Sequence, residues 1–211
     1  MTCAPGAPEG DALLTLGFVE GSGNTHPGQG TANRRFFFEN FMLELLWVAN
    51  PKEAQSERTQ RTRLWERWAQ RGQGVCPFGI VFRSTDDRPT PAPFPVWSYA
   101  PSYMPAGMSI EIAEGTTLSE PGLFYLSFQR RAASREPILH AMPIRKVCGI
   151  AVGIPDLAVL SQASRIAAEL KILRYFKSPQ FVLEILFDDA RQLRFDLRPQ
   201  LPLLFRTIGQ P

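Results

Sequence analysis

From Asn33 to Val48 the chain alternates between two faces along the runs "NRRFFF" and "FMLELLWV", broken by Glu39-Asn40. The period of two predicts strands and the intervening pair suits a tight turn, so the segment is read as a β-hairpin. A two-residue turn sets Phe38 opposite Phe41, Arg35 opposite Glu44 and Asn33 opposite Leu46. Successive side chains point to opposite faces, so Arg34, Phe36, Phe38, Phe41, Leu43, Leu45 and Trp47 share one face, the core face. The other face sets Asn33, Arg35 and Glu44 among Phe37, Met42, Leu46 and Val48, an apolar surface with a few polar groups, as ligand clefts are lined.

Around the hairpin the pattern predicts further elements. Met1 to Pro5 is a short first strand, Ala7 to Leu16 a helix with Pro8 in its first turn, and Gly17 closes that helix. A loop containing Gly21, Gly23, Gly28 and Gly30 then opens onto the hairpin, its glycines serving backbone turns. After it, Asn50, Pro51 and Glu53 form a capping signal for a helix running towards Gly72, with Leu64, Trp65 and Trp68 as its apolar stripe. Arg58, Arg61, Arg63, Arg67 and Arg71 cover the rest: an anion or nucleic-acid patch, or a solvated face interspersed with Glu57 and Glu66.

Phe78 to Phe82, Ser109 to Ala113 and Leu123 to Gln129 alternate as strands, and Arg130 to Glu136 is a polar connection. Between them the prolines from Pro89 to Pro105 exclude helix and central strand, making "FPVWSYAPSYMP" an edge strand or an extended cover. Its Trp97, Tyr99 and Tyr103 wall a cleft or close the core. In the last third "VCGIAVGI" is a strand, and Asp156 leads into a helix with the stripe Leu160, Ala163, Ala167 and Leu170. "QFVLEILF" and "QLRFDLRP" form a second hairpin around Asp188-Asp189-Ala190. One of its faces is apolar (Phe181, Leu183, Ile185, Phe187, Leu193, Phe195, Leu197), and Glu184, Arg194, Asp196 and Arg198 share the other.

Composition narrows the class without naming a partner. A charged content of 20% against 44% hydrophobic residues is that of a globular protein, and a net charge of +3 demands neither nucleic acid nor membrane. Cys3, Cys76 and Cys148 are odd in number and far apart, with no C-x-x-C spacing, which argues for reduced, mostly buried thiols in a cytoplasmic protein. No apolar run approaches the roughly 18 residues of a membrane span, and no secretory leader pattern stands at the N-terminus.

Strand, helix and then strands ending in "LELL" in one half and "RFDL" in the other make an internal repeat. With "HPGQGTANRR" and "FMLELL", the chain resembles the glyoxalase-like domains of the vicinal oxygen chelate superfamily. The resemblance implies an α+β fold: two βαβββ modules forming an incomplete barrel, helices outside and a cleft inside. The modules fall at 1–72 and 144–211, with 73–143 as a proline-rich elaboration, all within one domain. In metal-using members each module supplies one ligand from its first strand and one from its last. Carried over, the last-strand positions are Glu44 and Asp196, while the first-strand positions, Met1 to Pro5 and Cys148 or Gly149, hold no His, Gln or Glu. An upstream start would lengthen the first strand and is where a further ligand would enter.

The candidate site is therefore assembled from few groups. Glu44 and His26 are the acid–base candidates, since imidazole titrates near neutrality. Gln29 and Thr31 at the rim, Asn33, Arg35, Asp196, Trp97 and Tyr99 are the ligand-binding candidates. Arg35 either takes an anionic group of a ligand or neutralises Glu44, whose Cβ lies about 5 Å away across the hairpin. Fixed positive charge beside Glu44 and Asp196 competes with a divalent cation, so no cofactor is expected, a metal on Glu44, Asp196 and His26 being the weaker reading. The other histidine, His140, follows Ile138-Leu139 in a connection and is read as structural. The expected function is binding of a small polar or anionic organic molecule; the alternatives are a metal-dependent lyase, isomerase or dioxygenase, and an interaction module using the Arg-Trp helix. A homodimer is compatible with the sequence.

Overall fold

A computed structural model describes residues 1–84, 89–128, 135–189 and 191–209. The fold is mixed α+β, with more strand than helix, three sheets and no closed barrel. Of the connection expected at Arg130 to Glu136, only Arg135 and Glu136 are described, and Ala190 of the expected second turn is not.

The first sheet begins with Met1 to Cys3, which runs parallel to the later strand through the Thr2–Leu46 bridge. A 3-10 turn (Pro8–Gly10) leads into α1 (Asp11–Thr15), closed at Gly17 in the left-handed region (φ 86°). Then come β1 (Asn24–His26), β2 (Thr31–Phe37) and β3 (Met42–Val48), all antiparallel neighbours. The register of β2 and β3 is the predicted one, Arg35 opposite Glu44 and Asn33 opposite Leu46. Phe36, Phe38, Leu43 and Leu45 are buried on the face expected to be core. The strand order is thus first, fourth, third, second.

The single helix expected after Asn50 is three short ones, α2 (Pro51–Ala54), α3 (Glu57–Gln60) and α4 (Leu64–Ala69). Asn50 caps the first, accepting from the backbone of Lys52 and Glu53. The breaks have local causes: the Thr59 hydroxyl competes for the carbonyls of Glu53, Ala54 and Ser56, and Arg63 is left-handed at φ 54°.

The second sheet contains β4 (Gly79–Arg83), β5 (Val96–Tyr99), β6 (Ile110–Ala113) and β7 (Gly122–Leu126) in the order β4-β7-β6-β5. β4 and β7 are parallel and the other pairs antiparallel. First, fourth, third, second is again the order. The proline-flanked β5 takes the edge, where missing backbone donors are tolerated. The Thr2 amide donates to the Pro77 carbonyl (2.8 Å), joining the two sheets through their first strands.

The third sheet holds β8 (Val147–Ile154), β9 (Arg174–Lys177), β10 (Val182–Phe187), β11 (Arg194–Asp196) and β12 (Leu203–Thr207) in the order β11-β12-β10-β8-β9. The expected hairpin of "QFVLEILF" with "QLRFDLRP" does not form: β12 lies between β10 and β11, parallel to the first and antiparallel to the second. The cause is burial, since Leu203, Leu204, Phe205 and Thr207 of β12 are buried while Arg194 and Asp196 are exposed, and the more apolar strand takes the inner place. The helix expected from Asp156 is a 3-10 turn followed by α5 (Gln162–Glu169), capped by the Ser161 hydroxyl. Ala163 and Ala167 are buried as predicted, but Leu170 lies past the helix end and is exposed.

One apolar core lies where the three sheets meet. Phe38 packs on Phe187 (ring centroids 5.2 Å) and Phe18 on Phe205 (5.4 Å), with Ile80 and Leu123 of the second sheet in the same cluster. Buried Glu120 ties the second sheet to α5, accepting from the Thr117 amide, the Ser161 amide and hydroxyl, and the Ser164 hydroxyl.

Candidate ligand-binding cleft

On the non-core face of the first sheet, Asn24, His26, Thr31, Asn33, Arg35 and Glu44 stand together, because register places Asn24 opposite Asn33 and His26 opposite Thr31. His26 is therefore on an edge strand, not in the loop assigned to it from sequence. Three residues are too few for periodicity to reveal a strand.

The turn after His26 is built for close approach. Gly30 (φ 75°) sits against the backbone of Asn50 and Ala54, where a Cβ would come within 2.8 Å of the Ala54 nitrogen. The Gly28 amide donates to the Glu53 carboxylate (2.6 Å), so the helix-capping glutamate also holds the turn.

A chain of hydrogen bonds crosses this face. The Tyr103 hydroxyl donates to Gln29 Oε1 (3.2 Å), Gln29 Nε2 donates to Thr31 Oγ1 (2.8 Å), and Thr31 Oγ1 lies 2.8 Å from His26 Nδ1. Thr31 has one proton, and directing it to Nδ1 completes a consistent run of donors that leaves the proton of a neutral imidazole on Nε2. Burial lowers the His26 pKa from its ordinary value; Glu44 opposes that shift and Arg35 adds to it. The ring also packs at a 45° tilt 4.8 Å from Tyr103, whose hydroxyl burial raises well above the usual phenol range. Sequence reasoning offered Tyr103 as a wall or a core residue; the loop after β5 brings it over the first sheet, and Ser102 Oγ donates to the Pro27 carbonyl (2.9 Å) beside it.

Beside this chain Asn33 joins two neighbours. Its Oδ1 accepts from the Asn24 amide (2.7 Å), which can only donate, so its NH2 faces and bonds Glu44 Oε1. Arg35 does not neutralise Glu44 as one reading expected. Its Nε and an NH2 hydrogen go to the Ser22 carbonyl and hydroxyl (both 2.7 Å), with Glu136 at 3.9 Å. Register supplies proximity, but Asn33 is already directed at Glu44, and the longer arginine reaches partners beyond the sheet. Glu136 has its pKa lowered chiefly by the Ser22 hydrogen bonds.

The second carboxylate is elsewhere. Asp196 lies on β11, the edge of the third sheet, where Arg198 grips it at 2.8 and 2.5 Å and brings its pKa down to about 2. Glu184, expected to share its face, is buried between Arg206 (2.7 Å) and Arg174 (3.3 Å). Among the described residues no three of His, Cys, Asp and Glu gather at one place. Glu44 with His26 offers two ligands, fewer than the three that a catalytic zinc generally takes. Cys3 and Cys76 are buried, each thiol pushed up to about 12 by desolvation, which removes them as nucleophiles. His140 is structural: Nδ1 accepts from the Val19 amide (3.0 Å) and Nε2 donates to the Phe37 carbonyl (2.8 Å).

The second sheet presents an aromatic surface. Trp97, Ile112 and Phe124 are cross-strand neighbours on one of its faces. Trp97 and Tyr99, with Gly28 and Arg58, line a recess of about 350 Å³ adjoining the His26 turn. A second recess of about 320 Å³ shares Trp97 and is lined by Arg61, Arg63 and Arg67. The arginine run is thus no uniformly solvated face. Arg67 donates to the carbonyls of Cys76 (2.5 Å), Glu120 (2.9 Å) and Thr117 (3.2 Å), and Arg71 to that of Trp68 (2.9 Å).

Residues 4–118, more than half of the chain, match the family model of the glyoxalase-like domain, which belongs to the vicinal oxygen chelate superfamily. The chain belongs to the glyoxalase-like domain family. The matched span of this glyoxalase-like chain contains the polar face of the first sheet and reaches into the second, ending before the third. A crystal structure of a hypothetical protein from Staphylococcus aureus is similar in fold, with a TM-score of 0.51 at 10% identity over 99% of this chain and 93% of that one. No curated protein matches. Among the described residues no helix is long and apolar enough to cross a membrane.

Proposed function

We propose that this glyoxalase-like protein binds a small polar or anionic organic molecule between the polar face of the first sheet and the aromatic face of the second, without an obligatory metal. The observation that carries this reading is the connected polar group on an otherwise apolar surface: Tyr103, Gln29, Thr31 and His26 in one chain, Asn33 and Glu44 beside it. Such preorganised groups orient a ligand. Glu44 and His26 Nε2 are the groups placed to exchange a proton with it. The paired units on this reading are 1–48, a strand, α1 and three strands, and 79–126, four strands in the same order with no helix among the described residues, and 144–209 is an added unit; the repeated strand order supports that division.

The test is a titration of small hydroxy and oxo acids followed by the imidazole NMR signals of His26 and by melting temperature. At least one compound should move both, and Glu44→Gln should weaken it by about tenfold, as expected for loss of a charge-assisted hydrogen bond. Stoichiometric Mn, Fe, Ni or Zn in protein purified without chelator, absent from Glu44→Gln, would instead establish the metal-dependent enzyme.

A further inference from the structure

The recess beside Arg61, Arg63 and Arg67 has a chemistry unlike the polar face of the first sheet. Its floor is apolar and ring-rich: Trp97 and Phe124 flank buried Ile112 across three strands. Its rim is cationic. Arg61 lies with its guanidinium carbon 4.3 Å from the Trp97 ring centroid, and its ion pair with Glu114 is long (3.6 Å) with both side chains more than half exposed, so it is easily displaced. The Arg63 side chain makes no hydrogen bond or ion pair among the described residues and is exposed at a left-handed backbone position that swings it out of helical alignment. Arg67 is largely buried and hydrogen-bonded to carbonyl oxygens, which satisfy some of its hydrogens; the Glu120 carboxylate acts on its charge through space, without a direct ion pair among the described residues.

Three guanidinium groups and one carboxylate therefore line a recess of about 320 Å³, a size at the lower end of ligand pockets of roughly 300–1,000 Å³. Buried charge is ordinarily paired, and a planar guanidinium matches a carboxylate through two parallel hydrogen bonds. The ring floor favours a flat apolar body, and Arg61 over Trp97 shows that the indole face already accepts a planar group.

We propose that this recess binds a small planar aromatic carboxylate, its ring over Trp97, Ile112 and Phe124 and its carboxylate held by Arg61 and Arg63 with Arg67 behind them. This deepens the cleft reading above by naming a ligand class, and it rests on that reading where the two recesses share Trp97.

The probes are benzoate, benzamide, cyclohexanecarboxylate and inorganic phosphate, titrated into the full chain while the Trp97 indole N–H and the His26 imidazole are followed by NMR. Benzoate should shift the Trp97 signal saturably and bind about tenfold more tightly than benzamide, which lacks the charge, and than cyclohexanecarboxylate, which lacks the flat ring. Arg61→Gln and Arg63→Gln, at exposed positions where folding is not at stake, should each weaken benzoate by about tenfold, the value of one charge-assisted hydrogen bond. Phosphate binding as tightly as benzoate would overturn the assignment in favour of a general anion site. Benzoate shifts at His26 with Trp97 unmoved would also overturn it while leaving the cleft reading standing. Silence at both positions overturns it too, and the acid panel above then decides the cleft reading by itself.

Discussion

The first and second sheets share a strand order and differ in what they present. Each sets its first strand parallel to its fourth, and each buries one face in the common core, Phe36 and Leu45 in one case, Ile80 and Leu123 in the other. Their opposite faces diverge: the first carries the Asn33–Glu44 and Thr31–His26 bonds, the second Trp97, Ile112 and Phe124. Repetition of a fold thus constrains backbone pairing and the core face, because both answer to hydrophobic burial. The uncommitted face is free to specialise.

The comparison breaks most sharply at the shared core. Phe36→Ala should cost about 3–5 kcal/mol and Leu123→Ala about 2–5 kcal/mol, each fully buried side chain leaving a cavity, in a single urea transition. A separate early transition in Leu123→Ala would show that the second sheet unfolds by itself and that the core is not common. Next in size is Asn33→Leu, which strands the Asn24 amide and Glu44 on the polar face and should lose about 1–3 kcal/mol. No loss there would mean that the polar wall is already hydrated and not preorganised.

A smaller effect separates the two histidines. Both have folded pKa values below the ordinary histidine value, mainly through burial, so their contribution is complete above about pH 6.5 and declines as pH falls towards the folded values. His140, half-buried against Phe18 and Phe38 and bonded through both nitrogens, should contribute to this decline, and His140→Phe should flatten part of it in melting-temperature measurements between pH 5 and pH 7. An unchanged profile would assign the decline to His26 or to carboxylates. The smallest effect belongs to Asp196→Asn. Although the Asp196 pKa is lowered to about 2, the pair with Arg198 is surface-exposed and screened, so the melting temperature at pH 7 should stay within error. A large drop would restore Asp196 to a structural or functional role.

Glu44 and Asp196 share a sequence pattern and differ in where the fold puts them. Each sits in a strand flanked by apolar residues and near arginine, a pattern that places both on last strands. Glu44 keeps its place because its strand partner is adjacent in sequence, so turn length sets the register. Asp196 loses it because β12, not β10, is its neighbour, a choice settled by competition among apolar strands for the inner position. The same difference explains the recess by Arg63. A backbone reversal at one residue and a proline-flanked edge strand bring side chains together that no periodicity connects.

The residues alone therefore determined the α+β class, the hairpin register, the core face of the first sheet, the Asn50 cap, the structural role of His140 and the likeness to the glyoxalase-like family. Each follows from neighbouring positions, from short-range alternation or from a local motif. Tertiary structure alone decided that Arg35 turns to Ser22, that Tyr103 reaches Gln29, that the Arg-Trp segment breaks into three helices, and that the strand order of the first sheet recurs at 79–126. These outcomes depend on which surfaces compete for burial and which long side chains find partners across sheets, and that competition is held only once the chain has folded.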